Sequence, residues 1–402
     1  MRLIFLSTSS QLGGSEASLR DVLVSLRRAQ PSWALALVAP AEGPLVTAVR
    51  AQGVSIDILP FPPALARFGE RGAASAGTHA ALRLARAALV VPGYLRRLRA
   101  VIRARRADLI HANGFKTHLL GAAAKPRGTA LVWHMHEYLR QRPLSSMLLR
   151  RLAPRCDAIV AVSESVALDV RRVFGDRTPV STVYNGIDLD RFQPTGPTLD
   201  LDQLAGLPPA PATSVRVGLV AVMAHWKGHD LFLDAMAALP RDLQVRGYVV
   251  GGPIYETEAS QRSLDGLRAR AQRLGLDDRV GFTGFVDVPE QAMRALDVVV
   301  HASIEPEPFG LVIAEAMACG RAVVASRAGG AAEIIDDGVD GVYFPPGDAK
   351  ALAAAVIDLV RRPDRRRRLG AAGRRRAARF DRSLLADALV PVYIAAARRA
   401  GR

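Results

Sequence analysis

Short apolar segments alternate with longer amphipathic ones along nearly the whole chain, and this alternation leaves it little choice of architecture. A short run rich in Val, Ile, Leu and Ala between helical stretches reads as a strand buried on both faces. Repeated, it reads as a parallel sheet covered by helices on each side. Strands are expected at residues 3–7, 34–38, 55–59, 109–111, 130–134, 158–162 and 181–183, with helices at 15–29, 80–106, 119–124, 144–152 and 164–174. Residues 194–213 are rich in proline and small side chains and have no apolar period, as in a linker. A second series follows, with strands at 216–222, 245–250, 280–283, 298–300, 322–325 and 341–344, a helix at 228–238, and a last helix at 383–398.

The length, 402 residues, suits two domains, each large enough for its own core. The expected division is 1–190, a linker at 191–213, a second domain at 214–380, and a helix at 381–402 that returns toward the first. Two cysteines, Cys156 and Cys319, lie far apart and suggest no disulfide framework, so a reducing cytoplasm is the simpler setting. The formal charge of +16 is carried almost wholly by arginine. It fits either solvated helix faces or attraction to a polyanion. Arg96, Arg97, Arg99, Arg103, Arg105 and Arg106 alternate with Leu95, Leu98, Val101 and Ile102, so a basic amphipathic helix could lie on an anionic membrane surface. No aromatic residues interleave this cluster or the one at 361–376, which argues against stacking on single-stranded nucleic acid. No apolar run reaches the roughly 20 residues that span a bilayer.

In doubly wound sheets ligands bind beyond the strand C-terminal ends, and several candidates fall there. The densest stretch is 301–347, HASIEPEPFGLVIAEAMACGRAVVASRAGGAAEIIDDGVDGVYFPPG. Glu307 and Glu315 flank Phe309, Gly310, Leu311 and Val312, where a helix should open. Free N–H groups and the helix dipole would make an anion site there, with a carboxylate on either side. At 1.5 Å per residue, the eight-residue step would span roughly 12 Å, the reach from a sugar across a diphosphate to a ribose. Glu305 has no such partner, because the residue eight positions on is Ile313. Elsewhere Gly13 and Gly14 follow the first strand and let a ligand approach the backbone of a helix start. His134 and His136 lie two apart at a strand end, and His111 with Asn113 closes an earlier one. Lys227 precedes Gly228 after the first strand of the second series. Asp188 and Asp190 stand two apart after Asn185-Gly186, where a hinge or cap is the ordinary role.

Matched in order, the run EPFG, EAMACG, VVAS, GG, EII and PPGD resembles the retaining glycosyltransferases of family 4, with their Glu-x7-Glu signature. The resemblance implies the GT-B fold: two Rossmann-like domains facing a central cleft, the C-terminal helix crossing back to the first. It implies donor contacts at Gly13, Gly14, Lys227, Glu307, Phe309, Gly310, Leu311, Val312 and Glu315. His136, Glu307 and Lys227 take the catalytic roles, while His111, Asn113 and His134 fall on the acceptor side. His136-Glu137 stands where the family has His-Asp, although a shift to His134 stays open. The family's second diphosphate cation, five residues before the lysine, is Val222 here, with His225 as a conceivable substitute.

The implied reaction moves a sugar from a UDP- or GDP-linked donor to the hydroxyl of a cell-envelope or lipid-linked acceptor. It needs no metal or other cofactor and no nucleic acid, and it would run in the cytoplasm or at the inner face of the membrane. The rivals are an epimerase or hydrolase of the same fold, and a basic membrane- or polyanion-binding protein whose sugar site is dead.

Overall fold

A computed structural model of the chain describes residues 1–62, 78–253 and 262–401. It divides into two compact units, Met1–Gly186 with Arg382–Arg402, and Ile187–Asp381. The first unit is built on seven parallel strands: β1 (Arg2–Leu6), β2 (Ala34–Ala39), β3 (Ser55–Ile58), β4 (Leu109–Asn113), β5 (Ala130–Met135), β6 (Ala158–Ala161) and β7 (Val180–Thr182). Their order is β3-β2-β1-β4-β5-β6-β7. The second unit has six: β8 (Val215–Val220), β9 (Val245–Val250), β10 (Val280–Gly284), β11 (Val298–His301), β12 (Ala322–Ser326) and β13 (Val342–Phe344). They run β10-β9-β8-β11-β12-β13, and every pairing is parallel.

The central strands are buried on both faces, as their unbroken apolar sequences require, whereas the edge strand β3 is exposed at Ser55 and Ile58. β4, β5, β6, β11 and β12 have no exposed residue. Winding reverses direction between β1 and β4 in one sheet and between β8 and β11 in the other. Those two reversals are where each sheet leaves a crevice at its strand C-terminal ends.

The final helix, Leu385–Ala400, is part of the first unit's core, where Leu385, Leu389, Tyr393 and Ala396 are buried with β1, β4 and β5 side chains. The chain leaves the first unit at Gly186. A Cβ there would stand 2.6 Å from the Arg382 Cα, so glycine lets the outgoing backbone run beside the returning one.

The stretch expected as an unstructured linker belongs to the second unit. It contains a short helix, Leu201–Ala205, capped by Asp200. Asp202, 3% exposed, ties it down by accepting hydrogen bonds from Tyr248 Oη and Arg246 Nη1 at 2.7 and 3.0 Å. Proline spacing hid that helix, because one and a half turns show no apolar period. Asp188 caps a turn through the N–H groups of Asp190 and Arg191, both at 3.2 Å. Among the described residues no helix is long and apolar enough to cross a membrane.

Candidate active site

In the second unit the switch-point strands β8 and β11 lead to Lys227 and Glu307. Gly228 has φ +72°, and a Cβ there would lie 1.9 Å from the Ala302 carbonyl oxygen. Only glycine lets the loop after β8 rest on the end of β11. Ile304 N–H then donates to the Trp226 carbonyl at 2.9 Å. With the loops stitched together, Lys227 Nζ donates to Glu307 Oε1 at 2.6 Å. Ser303 Oγ donates to the same oxygen, and His301 Nε2 lies 3.2 Å from it.

Glu307 is 9% exposed. Burial pushes its carboxyl up, but Lys227 and His301 together outweigh burial and hold it well below the usual carboxylate range. The site therefore carries a fixed anion and a cation that still reaches solvent.

Gly310, at φ +111°, caps the helix Leu311–Ala318, and a Cβ there would press on Ile313 at 3.1 Å. The first-turn amides at Leu311 and Val312 are helix N-terminal donors beside half-buried side chains. Phe309 is 2% exposed and packs edge-on against Phe380 at 5.6 Å, so it offers a ligand its backbone and not its ring. Residues 307–310 are not helical, so the 1.5 Å rise applies only from Leu311 and the 12 Å span does not hold for the pair. Glu307 instead bridges to Gly329, and Gly330 N–H donates to the Glu307 carbonyl at 2.7 Å. Glu315 is half-buried on the helix.

Val222 is half-buried, and His225 is exposed. An arginine that sequence spacing missed lies close by: Arg262 donates its backbone N–H to the Met223 carbonyl at 2.8 Å, and its guanidinium pairs with Asp230.

In the first unit the switch-point strands β1 and β4 lead to Gly13-Gly14 and end at Asn113. The neighbouring β5 leads to His136. A carboxylate stands beside the backbone expected to receive a phosphate near Gly13. The Glu16 side chain folds back so that its Oε2 accepts from Ser15 Oγ at 3.0 Å and lies 2.8 Å from where a Gly13 Cβ would be. Burial raises the Glu16 carboxyl above its ordinary value, against the lowering pull of the Ser15 hydroxyl and the backbone of Glu16 and Gly13.

His136 is half-buried, and its Nε2 meets Asn113 Oδ1 at 2.7 Å. His134 is 1% exposed, with its ring 4.2 Å from that of His136 and 5.1 Å from that of His111. His111 has no exposed surface, and its Nδ1 meets Tyr393 Oη at 2.8 Å. His111 and His134 were expected to face an acceptor. Both are buried next to His136, with the His134 ring against its own, because β4 and β5 are covered on both faces and only His136 lies beyond the strand end. Burial pushes the imidazoles of His111 and His136 down to about 3 and about 4, so both are neutral near neutral pH.

Asp169 fixes the loop after β5. It accepts from Leu139 N at 2.6 Å and from Arg140 Nε at 2.6 Å. Glu137 pairs with Arg142 at 2.8 Å. Among the described residues no group of three or more His, Cys, Asp or Glu is placed to hold a metal.

Two family models match the chain: Glycosyltransferase Family 4 over residues 44–191 and Glycosyl transferases group 1 over residues 209–376. The D-inositol 3-phosphate glycosyltransferase 2 of Catenulispora acidiphila is 34% identical over 307 residues, covering 71% of this chain and 70% of the relative. The lipopolysaccharide core biosynthesis mannosyltransferase LpsB of Rhizobium meliloti is 34% identical over 258 residues, covering 62% of this chain and 67% of the relative. Among solved structures, HepE of Anabaena in complex with UDP-glucose superimposes with a TM-score of 0.78 at 26% identity, over 98% of this chain and 99% of that one. The paired parallel sheets are those of GT-B glycosyltransferases, and the chain belongs to the group 1, family 4 glycosyltransferases.

Proposed function

We propose that the protein transfers a sugar, with retention of anomeric configuration, from a UDP- or GDP-linked donor to a hydroxyl of a cell-envelope or lipid-linked glycan. The observation that carries this reading is the Lys227–Glu307 pair, 2.6 Å apart beside the start of the helix Leu311–Ala318. A leaving diphosphate gathers negative charge as the glycosidic bond breaks. A preorganised ammonium and helix N–H groups stabilise that charge better than reorienting water does. Lys227 is the cation, and the amides from Gly310 to Val312 are the donors. Glu307, held ionised, accepts hydrogen bonds from sugar hydroxyls, and Glu315 does the same for the ribose. His136 contacts the sugar near its reacting carbon.

Because Lys227 and the helix terminus supply the positive charge, no metal is required, and turnover should survive a chelator. With no carboxylate assigned as a nucleophile behind the anomeric carbon, the acceptor hydroxyl attacks from the face the diphosphate leaves. The leaving phosphate takes the acceptor's proton.

The relatives support the donor and acceptor classes. HepE was solved with UDP and glucose, and LpsB is named for lipopolysaccharide core synthesis. A membrane-borne acceptor also fits the helix Thr78–Ala104. Its Arg96, Arg97 and Arg103 and the following Arg106 are exposed, and Leu89 is 81% exposed. Arg99 and Arg105 are used internally, on the Ala123 and Ala124 carbonyls and on Asp57.

The test is a thermal-shift screen against nucleoside diphosphates and their sugars, followed by turnover of the selected donor by wild type and Glu307→Gln. The expected loss is about 10²–10³-fold. Full turnover by the variant would remove Glu307 from the site. Donor consumption that does not depend on acceptor would indicate a hydrolase or epimerase.

A further inference from the structure

We propose that Asn113 locks His136 in the Nε2–H tautomer and couples it to the glycine loop at residues 13–14, leaving a bare Nδ1 as the atom offered to a hydroxyl of the donor sugar. The role toward the sugar rests on the proposed function; the lock itself rests on geometry. Asn113 ends β4, is 4% exposed, and stands in register with His134 on β5. Its Nδ2 donates to the Ser15 carbonyl at 3.1 Å, and its Oδ1 lies 2.7 Å from His136 Nε2.

A carbonyl oxygen can only accept, so the amide nitrogen of Asn113 must face Ser15. The flipped amide would set two carbonyl oxygens against each other. Oδ1 therefore faces His136, and since it too can only accept, the hydrogen of that bond sits on His136 Nε2. In a neutral imidazole this leaves Nδ1 unprotonated. Among the described residues His136 makes no other hydrogen bond. The ring cannot turn freely, because His134 lies 4.2 Å behind it and the His111–Tyr393 bond closes the stack.

A bare ring nitrogen accepts from a sugar hydroxyl, whereas an N–H would require an acceptor there. The tautomer thus decides what His136 can hold. Ser15 belongs to the first turn of the helix Gly14–Ala29, so a shift of the glycine loop pulls directly on the group that orients His136. Asn113 is a positioning residue in this scheme, acting through His136 and not on the substrate.

The test combines long-range ¹⁵N spectra of the histidine-labelled full chain with donor turnover, His136 being assigned by loss of its signals in His136→Gln. Wild type should show the Nε2–H pattern; an Nδ1–H pattern overturns the lock without any variant. Asn113→Ala should give mixed tautomers and lower kcat by about tenfold to a hundredfold, with a smaller change in donor KM. Asn113→Asp keeps the acceptor but loses the donor to Ser15, so it should retain Nε2–H while raising the protonation midpoint of His136. An unchanged His136 spectrum in Asn113→Ala overturns the lock. A changed spectrum with unchanged kcat keeps the lock and removes His136 from the reaction.

Discussion

The first unit ends β4 and its neighbour β5 in neutral groups: an amide, a half-buried imidazole and two buried ones beside it. The second unit ends its switch-point strands in a charged pair, Lys227 and Glu307, with Ser303 and His301 on the same carboxylate oxygen. Both sets sit at or next to the strands where the sheet reverses its winding, so topology chose the places and side-chain chemistry chose the difference. Charges placed against each other keep their ionisation under burial, as Glu307 does. Imidazoles without an anionic partner lose theirs, as His111, His134, His136 and His118, buried on the helix Phe115–Ala124 against the His134 carbonyl, do. One region is built to meet charge on a leaving group, the other to direct hydrogen bonds of fixed polarity.

The harshest way to break the charged region is Lys227→Ala. We expect turnover to fall by about 10²–10³-fold. We also expect the second unit to lose about 3 kcal/mol, because a buried carboxylate is left without its main counter-charge. Adding Glu307→Gln should recover much of the stability and none of the activity. Recovery of both would mean that the pair is structural.

Gly228→Ala attacks the same region through the backbone. A Cβ 1.9 Å from the Ala302 carbonyl, on a residue at φ +72°, forces the two loops apart. A loss of about 2–4 kcal/mol in urea unfolding is expected, with Lys227 displaced from Glu307. A stable, active variant would show that the loops need not touch.

Acid should separate the two regions. The folded-state values of His111 and His118 lie near 3 and that of His136 near 4, while His134 lies well below its ordinary value. Between about 6.5 and those values the unfolded chain binds more protons than the native one. The four imidazoles therefore contribute full stability above about pH 6.5 and lose it as pH falls. The second unit has one such residue, His229, at about 4. Glu307, whose value is lowered, begins to lose its contribution only as pH falls below 4.5, the ordinary carboxylate value. Hydrogen exchange between pH 7 and 4 should show amides of β4 and β5 opening before those of β8 and β11. The reverse order would contradict the neutral character assigned to the first site.

The charged region was far more legible in sequence than the neutral one. All thirteen strands of the described residues could be read, the central ones most plainly, because strands covered on both faces admit little but apolar runs. Glu307, Gly310 and Lys227 announced themselves as charges and a glycine at strand-to-helix junctions. Asn113 and His134 showed only that they end strands; strand period gives the side of the sheet but not burial or partner. Asn113 owes its role to a carbonyl 98 residues away, and no spacing rule reaches that far. Arg262 and Asp202 were silent for the same reason, their partners being brought up by tertiary packing.

Glu16 gives the finest cut at the contrast, because it is a carboxylate inside the neutral region. Two forces oppose each other there. The backbone of Gly13 and of Glu16 itself and the Ser15 hydroxyl favour the anion, and burial disfavours it more strongly, so the carboxyl is raised. A raised carboxyl makes folding less favourable as pH climbs through its value, and Gln imitates the protonated form. Glu16→Gln should therefore match wild type at neutral pH, or exceed it slightly, within about 1 kcal/mol. The melting temperature should move by no more than about 2–4 °C. The same variant asks whether the amides at Gly13 serve donor phosphate. If they did, removing the carboxylate that stands beside them would tighten donor binding severalfold. With the diphosphate assigned to Lys227 and the Leu311–Ala318 helix, donor KM should stay where it is. A marked fall in KM would move part of the charge recognition into the first unit and erase the contrast between the two.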